Sequence, residues 1–272
     1  MIDPLVQALR ERQAILFVGA GVSKSLGLPT WSELIAEMAV QLDYDPSVFE
    51  AHGSGYLELA EYYKLKKTSL GPLRSWMDRK WHLDDSKVDA SKTHQAILNL
   101  GFPIIYTTNY DRWLEIAFKR KSKSFVKIAN VGDFTKIRDG LTQIVKLHGD
   151  FDDDESLVLT ETSYFERLAF ESPLDIKLRS DSIGKTILFV GYSLSDINIR
   201  YLLYKLHCMW DRSTFASARP KSFLFLSRPN PIREAILEER GIFPVVSEKD
   251  DPGEGLVEFL QRLVRDAFGT TV

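Results

Sequence analysis

Short, largely apolar runs recur along this 272-residue chain, and most of them end at glycine or a small polar residue. Ala14–Val18 is the first. Ile104–Thr107, Ile144–Leu147, Ile187–Val190, Phe223–Leu226 and Phe243–Val246 follow. A strand that is apolar on both sides has to be covered on both sides, as in a parallel sheet between layers of helices. The stretches between most of these runs have helical periodicity. The alternation predicts an α/β fold with a mainly parallel sheet flanked by helices. Ile2, Leu5, Val6 and Leu9 mark a lead-in helix; Leu256, Phe259, Leu260, Leu263, Val264 and Ala267 mark a C-terminal one. Residues 43–100 offer several helices and no good strand. A crossover needs only about a dozen residues, so 43–100 reads as a helical insert within a single domain spanning 1–272.

Composition excludes several classes. The net charge of −3 lacks the basic excess of a general nucleic-acid binder, so direct nucleic-acid binding is not expected. The basic run Lys119, Arg120, Lys121, Lys123 and Lys127 reads as a solvated loop, with a nucleic-acid contact as the alternative. The acidic run Asp152–Glu155 also reads as solvated. Cys208 is the only cysteine, which excludes an internal disulfide and a multi-cysteine zinc site; no metal is expected. No apolar run approaches the roughly 20 residues of a membrane span, and the first residues carry charge where a signal core would be apolar. A cytoplasmic protein without a membrane partner is expected.

Four strand ends carry the chemistry. Gly19-Ala20-Gly21-Val22-Ser23 could bring backbone amides close to a pyrophosphate, or could be a tight turn. It fails the dehydrogenase pattern, because Lys24 stands at the third glycine position. Tyr106-Thr107-Thr108-Asn109-Tyr110-Asp111 places short polar side chains at a sheet edge, where they could face a ligand or cap a helix. In Lys146-Leu147-His148-Gly149-Asp150 the histidine is placed to act as a base; a satisfied structural histidine is the alternative. Gly191-Tyr192-Ser193-Leu194-Ser195-Asp196 ends the fourth strand. Ser193 is a candidate ribose or phosphate contact, and Ser195 or Asp196 a candidate helix cap.

Taken together and in order, GAGVS, GLPTW, TTNYD, KLHGD and GYSLSD resemble the sirtuin motifs for NAD binding and catalysis. They resemble still more the sirtuin-like domains of bacterial anti-phage defence systems. The resemblance spans about residues 14–200 and implies a Rossmann-like sheet. It implies that Gly19, Ala20, Gly21 and Ser23 cradle the dinucleotide phosphates and that Asn109 positions the ribose or the attacking water. It places Asp111 near the nicotinamide amide, His148 as the catalytic histidine, and Gly191 and Ser193 on the adenosine side. Val22, Trp31, Thr108 and Tyr192 join them as expected NAD contacts. The chain departs from the protein deacylases of this family in two places. It has no four-cysteine zinc ribbon after His148-Gly149, and Thr30, Trp31 and Ser32 stand where deacylases carry Asp-Phe-Arg.

The resemblance therefore implies an NAD hydrolase, with NAD as substrate, giving nicotinamide and ADP-ribose and acting in anti-phage defence by NAD depletion. The alternatives are a non-catalytic NAD or ADP-ribose sensor and an atypical deacylase. It further implies a homo-oligomer, and a separately encoded ring-forming ATPase or other defence partner. Tyr62, Tyr63, Trp76 and Trp81 make the insert a candidate contact surface, with a packed insert core as the competing reading.

Overall fold

The computed structural model describes residues 2–28, 30–52, 55–82, 84–169, 171–192 and 196–269. Among them, seven strands form one sheet in the order β3-β4-β2-β1-β5-β6-β7, and every pairing is parallel. The strands are β1 (Ala14–Val18), β2 (Ile104–Thr107), β3 (Phe125–Ile128), β4 (Thr142–Lys146), β5 (Thr186–Val190), β6 (Ser222–Leu226) and β7 (Ile242–Val246). β1 and β5 are buried along their whole length, as strands covered on both faces must be.

Alternation along β1 divides the interior into two cores. Leu16 and Val18 face one side, against α1 (Asp3–Arg10), α6 (Lys92–Leu100), α7 (Trp113–Arg120) and α12 (Pro252–Phe268). Ile15 and Phe17 face the other, against α9 (Pro173–Gly184), α10 (Ile197–Asp211) and α11 (Pro231–Glu239). In α12 the buried residues Leu256, Phe259, Leu260, Leu263, Val264 and Ala267 form one stripe at helical spacing. Each fully buried aliphatic side chain of such a stripe contributes roughly 1.5–3 kcal/mol relative to exposure. No described helix is long and apolar enough to cross a membrane.

A third core lies beside the sheet. It joins α2 (Trp31–Gln41), α3 (Pro46–His52), α4 (Tyr56–Lys67) and α5 (Gly71–Trp81) to Phe151, Leu157 and Leu159. α8 (Glu161–Arg167) packs beside α4. This partition differs from the 43–100 segment read from sequence. α2 begins before residue 43 yet belongs to the lobe, and α6 lies within 43–100 yet packs on α12 in the layer covering the sheet. The lobe aromatics face inward: Tyr63 is fully buried, Trp81 is buried, and Tyr62 and Trp76 pack against the same core. Packing of the lobe's own core accounts for Tyr63 and Trp81, while Tyr62 and Trp76 are only half-buried.

The two charged runs are also more than solvated loops. Lys119 and Arg120 end α7, and Phe125–Ile128 forms the edge strand β3. Lys127 of that strand is ion-paired with both Asp150 and Asp152, and Asp154 pairs with Arg74 of α5 at 2.6 Å. Val126 and Ile128 of this edge strand are buried while Phe125 and Lys127 are half-buried, so a single lysine made the strand read as part of the basic run.

His94, in α6, is 1% exposed. Its Nδ1 lies 2.7 Å from Ser91 Oγ, and its Nε2 has no partner among the described residues. Burial lowers its pKa from 6.5 to about 4. The folded state thus keeps His94 neutral while the unfolded chain takes up a proton. Stability is full above pH 6.5 and is lost as pH falls toward about 4, by roughly 3 kcal/mol at the rate of about 1.4 kcal/mol per unit. Denaturant unfolding at pH 7 and pH 4 should show this loss shrinking in His94→Gln. Equal losses in the two proteins would exclude His94 as the cause.

Candidate active site

The strand order brings the four motifs together. β4, β2, β1 and β5 are consecutive neighbours. The chain leaves β1 for β2 on one side and returns at β5 on the other, so the topology reverses at β1. Crevices for ligands form at the carboxyl ends of strands at such a point. A cavity of about 920 Å³ opens there. Ala20, Gly21, Thr108, Asn109, Asp111 and His148 line it from the sheet, with Gly191 and Tyr192 beside them. Trp31, Tyr56 and Trp81 line it from the lobe, where the Trp31 and Tyr56 rings stack at 6.1 Å. Ser193 lies outside the described residues.

The glycines of the first motif hold two strand ends in contact. A Cβ on Gly19 would sit 2.3 Å from the Gly191 carbonyl oxygen, and one on Gly21 would sit 2.9 Å from Gly191 Cα. Gly191 has φ +61°, and a Cβ there would meet Val22 N at 2.6 Å. Gly19 N–H donates to Val190 O and Gly21 N–H to Gly191 O, both at 2.9 Å. Val22 points into the core. Ser23 is buried and donates to Asp111 Oδ1 at 3.3 Å.

In the second motif, Thr107 Oγ1 donates to Val18 O at 2.9 Å and accepts Asn109 N–H at 3.0 Å, tying β2 to β1. Neither threonine nor Asn109 caps the following helix: the N-cap of α7 is Arg112, and Asp111 Oδ1, one residue earlier, accepts Trp113 N–H at 3.0 Å. Asp111 Oδ2 is buried with no partner among the described residues. Burial raises the Asp111 pKa, and the charge of Lys146 opposes that rise.

Lys146 was not singled out from sequence. It is fully buried and donates to Tyr110 O at 3.0 Å, Asp111 O at 2.8 Å and Glu115 Oε1 at 3.2 Å, with Asp150 Oδ1 at 3.2 Å. Burial would lower its pKa, but Glu115, Asp150 and Asp111 outweigh burial and hold it above the ordinary lysine value. The ammonium thus pins the loop that carries Asn109. A lysine at the end of an otherwise apolar run was the available signal, since a buried cation needs partners.

His148 is buried and turns away from its strand at Gly149, where φ is +86° and a Cβ would meet Ser156 O at 2.1 Å. Its Nε2 lies 3.0 Å from Asp196 Oδ2. Its Nδ1 lies 3.5 Å from the Tyr164 hydroxyl, whose ring meets the imidazole edge-on at 5.1 Å. Burial lowers the His148 pKa, an effect only partly offset by Asp196, so the ring is neutral at neutral pH. Burial alone would raise the Asp196 pKa, but the bond to His148 and the α10 amides hold it below the usual value. Asp196 Oδ1 accepts Asn198 N–H at 2.9 Å and Ile199 N–H at 3.3 Å, capping α10. Sequence reasoning offered Ser195 or Asp196 as the cap and gave neither this second contact nor Tyr164, since residues far apart in the chain make both.

Among the described residues lining the cavity are four carboxylates, Glu58, Asp111, Glu161 and Asp196, and no lysine or arginine. Such a lining favours positive charge on whatever reacts there. Among the described residues no group of three His, Cys, Asp or Glu side chains is placed to hold a metal ion.

A family model for SIR2-like domains matches residues 103–245, more than half of the chain. The chain belongs to the SIR2-like family. Curated relatives include NAD(+) hydrolase ThsA of Bacillus cereus (strain MSX-D12), 29% identical over 217 residues, covering 78% of this chain and 43% of that protein. NAD(+) hydrolase ThsA of Acinetobacter baumannii (strain 532279) is 26% identical over 216 residues, covering 78% and 43%. Defense-associated sirtuin 2 of Bacillus subtilis is 28% identical over 258 residues, covering 89% and 24%. This SIR2-like chain thus spans less than half the length of each of these three.

Proposed function

We propose that this SIR2-like chain is an NAD hydrolase that cleaves the nicotinamide–ribose bond, releasing nicotinamide and ADP-ribose, and that it serves anti-phage defence by draining NAD. The names of its relatives support the substrate. The observation that carries the reading is the meeting of three groups at one cavity: Asn109, a neutral His148, and the unpartnered Oδ2 of Asp111.

Each group answers a need of the reaction. Nicotinamide leaves as a neutral base, so no strong acid is required, and the ribose passes through an oxocarbenium-like state. The carboxylate-rich lining stabilises that positive charge. Asp111 Oδ2 accepts a hydrogen bond from the nicotinamide carboxamide. Asn109, whose side chain forms no hydrogen bond among the described residues, orients the attacking water or a ribose hydroxyl. His148 takes the water's proton. Ala20 and Gly21 border the pyrophosphate, and Trp31 and Tyr192 wall in the rest of the dinucleotide.

Incubating the purified protein with NAD and following nicotinamide by chromatography tests this. Release of nicotinamide and ADP-ribose in equal amounts is expected. Binding of NAD without release would favour a sensor, and turnover only with an acylated peptide would favour a deacylase. We further propose that the protein acts in the cytoplasm as a homo-oligomer that answers to a separately encoded defence partner. Light scattering of a strict monomer that turns over NAD at full rate alone would contradict this.

A further inference from the structure

We infer that Asp196 is a positioning residue for His148, fixing the imidazole as its Nε2–H tautomer so that Nδ1, on the Tyr164 side, is the nitrogen that accepts the proton. This rests on the hydrolase reading for its chemistry, though not for its geometry. The Asp196 carboxylate is divided between two tasks. Oδ1 is occupied by the first amides of α10, and Oδ2 lies 3.0 Å from His148 Nε2. A carboxylate can only accept, so the hydrogen of that contact belongs to Nε2. Nδ1 is left with its lone pair, and its nearest polar neighbour is the Tyr164 hydroxyl at 3.5 Å, which donates to it weakly or gives way to water.

His148, Tyr164 and Asp196 all line the same cavity, and Asn109 and Asp111 border it from β2. Because Asp196 caps a fifteen-residue helix, the α10 amides hold it in place. The orientation of the base therefore depends on the β5–α10 junction, whereas the base itself comes from β4.

The step balances as follows. A water oxygen bonds to ribose C1′ as the C1′–N bond breaks, and the bonding pair leaves with neutral nicotinamide. One water proton passes to His148 Nδ1, making an imidazolium with hydrogen on both nitrogens. The Asp196 carboxylate faces that cation and lowers the barrier to forming it. The proton then returns to solvent.

Asp196→Asn separates this role from helix capping, because asparagine caps as well as aspartate. With its oxygen on the α10 amides, the asparagine NH₂ faces Nε2 and forces hydrogen onto Nδ1, the wrong tautomer. Histidine-labelled full chain, examined by ¹⁵N–¹H multiple-bond NMR at neutral pH, gives a readout independent of turnover; His148→Gln identifies the resonance among the five histidines. The wild type is expected to show Nε2–H and bare Nδ1, and Asp196→Asn the reverse. In nicotinamide release, Asp196→Asn should lower kcat by about 10²–10⁴-fold with little change in KM and an unchanged melting temperature. A wild-type spectrum with hydrogen on Nδ1, or Asp196→Asn turning over NAD at the wild-type kcat, would overturn the inference. A wild type that shows the Nε2–H tautomer but releases no nicotinamide would support the positioning and count against the hydrolase reading.

Discussion

His148→Ala and Asn109→Ala are each expected to cut nicotinamide release by about 10²–10⁴-fold, the range a well-placed base or orienting group supplies. For His148 the loss should fall on kcat, since the ring moves a proton in the transition state and adds little to ground-state binding. For Asn109 both kcat and KM should worsen, because an amide that orients a ribose hydroxyl also helps to bind it. Removing His148 leaves the largely covered Asp196 Oδ2 without that contact, so part of any effect of His148→Ala could come from the fold. His148→Gln fills most of the ring's space and retains a donor toward Asp196, and it should be as inactive as the alanine variant while melting close to wild type. The measurements are steady-state nicotinamide release and thermal unfolding of all three variants. Wild-type turnover by both His148→Gln and Asn109→Ala, in conditions where the parent is active, would remove the mechanism.

Gly19→Ala should be strongly destabilising for a change of a single methyl group. The Gly19 φ of −103° suits alanine, so the conformation itself is not at issue. What opposes the substitution is the added carbon, 2.3 Å from the Gly191 carbonyl oxygen and 2.5 Å from the Tyr192 ring. The first obstacle is backbone and cannot rotate away. β1 and β5 must then part at their carboxyl ends, breaking the bonds from Gly19 N–H and Gly21 N–H. Overpacking of this kind costs about 1–3 kcal/mol, and at about 2–4 °C per kcal/mol for a protein this large the melting temperature should fall by roughly 2–12 °C. Gly184→Ala is the control: it ends α9, nothing stands within 4 Å of its added carbon, and it should be neutral or slightly stabilising. If calorimetry finds the two variants equally stable, the contact between the β1 and β5 loops is not as tight as drawn.

The damage from Gly19→Ala would reach function without touching a reacting group. Ala20, Gly21, Gly191 and Tyr192 line the cavity beside this contact, so parting the loops moves one wall away from Asn109 and His148. A loss of NAD affinity in excess of the loss of stability is the expected signature.

Physical reasons account for how much was legible beforehand. β1, β2 and β5 were visible because a strand covered on both faces must be apolar throughout, and that pattern survives in one dimension. Their motifs were visible because ligands gather at strand ends, where bulky residues are absent. β3 was hidden, since only Val126 and Ile128 of this short edge strand are fully buried and its half-buried Lys127 looked like part of a basic loop. Periodicity also could not say which helix belonged to the lobe and which to the sheet, because α2 and α6 both have an apolar face and differ only in what covers it.

Local sequence by itself determined that strands and helices alternate, that Gly19, Asn109, His148 and Gly191 follow strands, and that no cysteine-built zinc site is available. Only the tertiary structure decided that β4, β2, β1 and β5 are neighbours, so that four separate strand ends become one cavity. It alone decided that Asp196, 48 residues beyond His148, holds that ring, and that Lys146 holds the Asn109 loop through two backbone carbonyls. The reason is one of range. Burial and turn preference act on neighbouring residues and leave a mark in the order of the chain, whereas strand order and long-range hydrogen bonds depend on which surfaces meet when the helices close over the sheet.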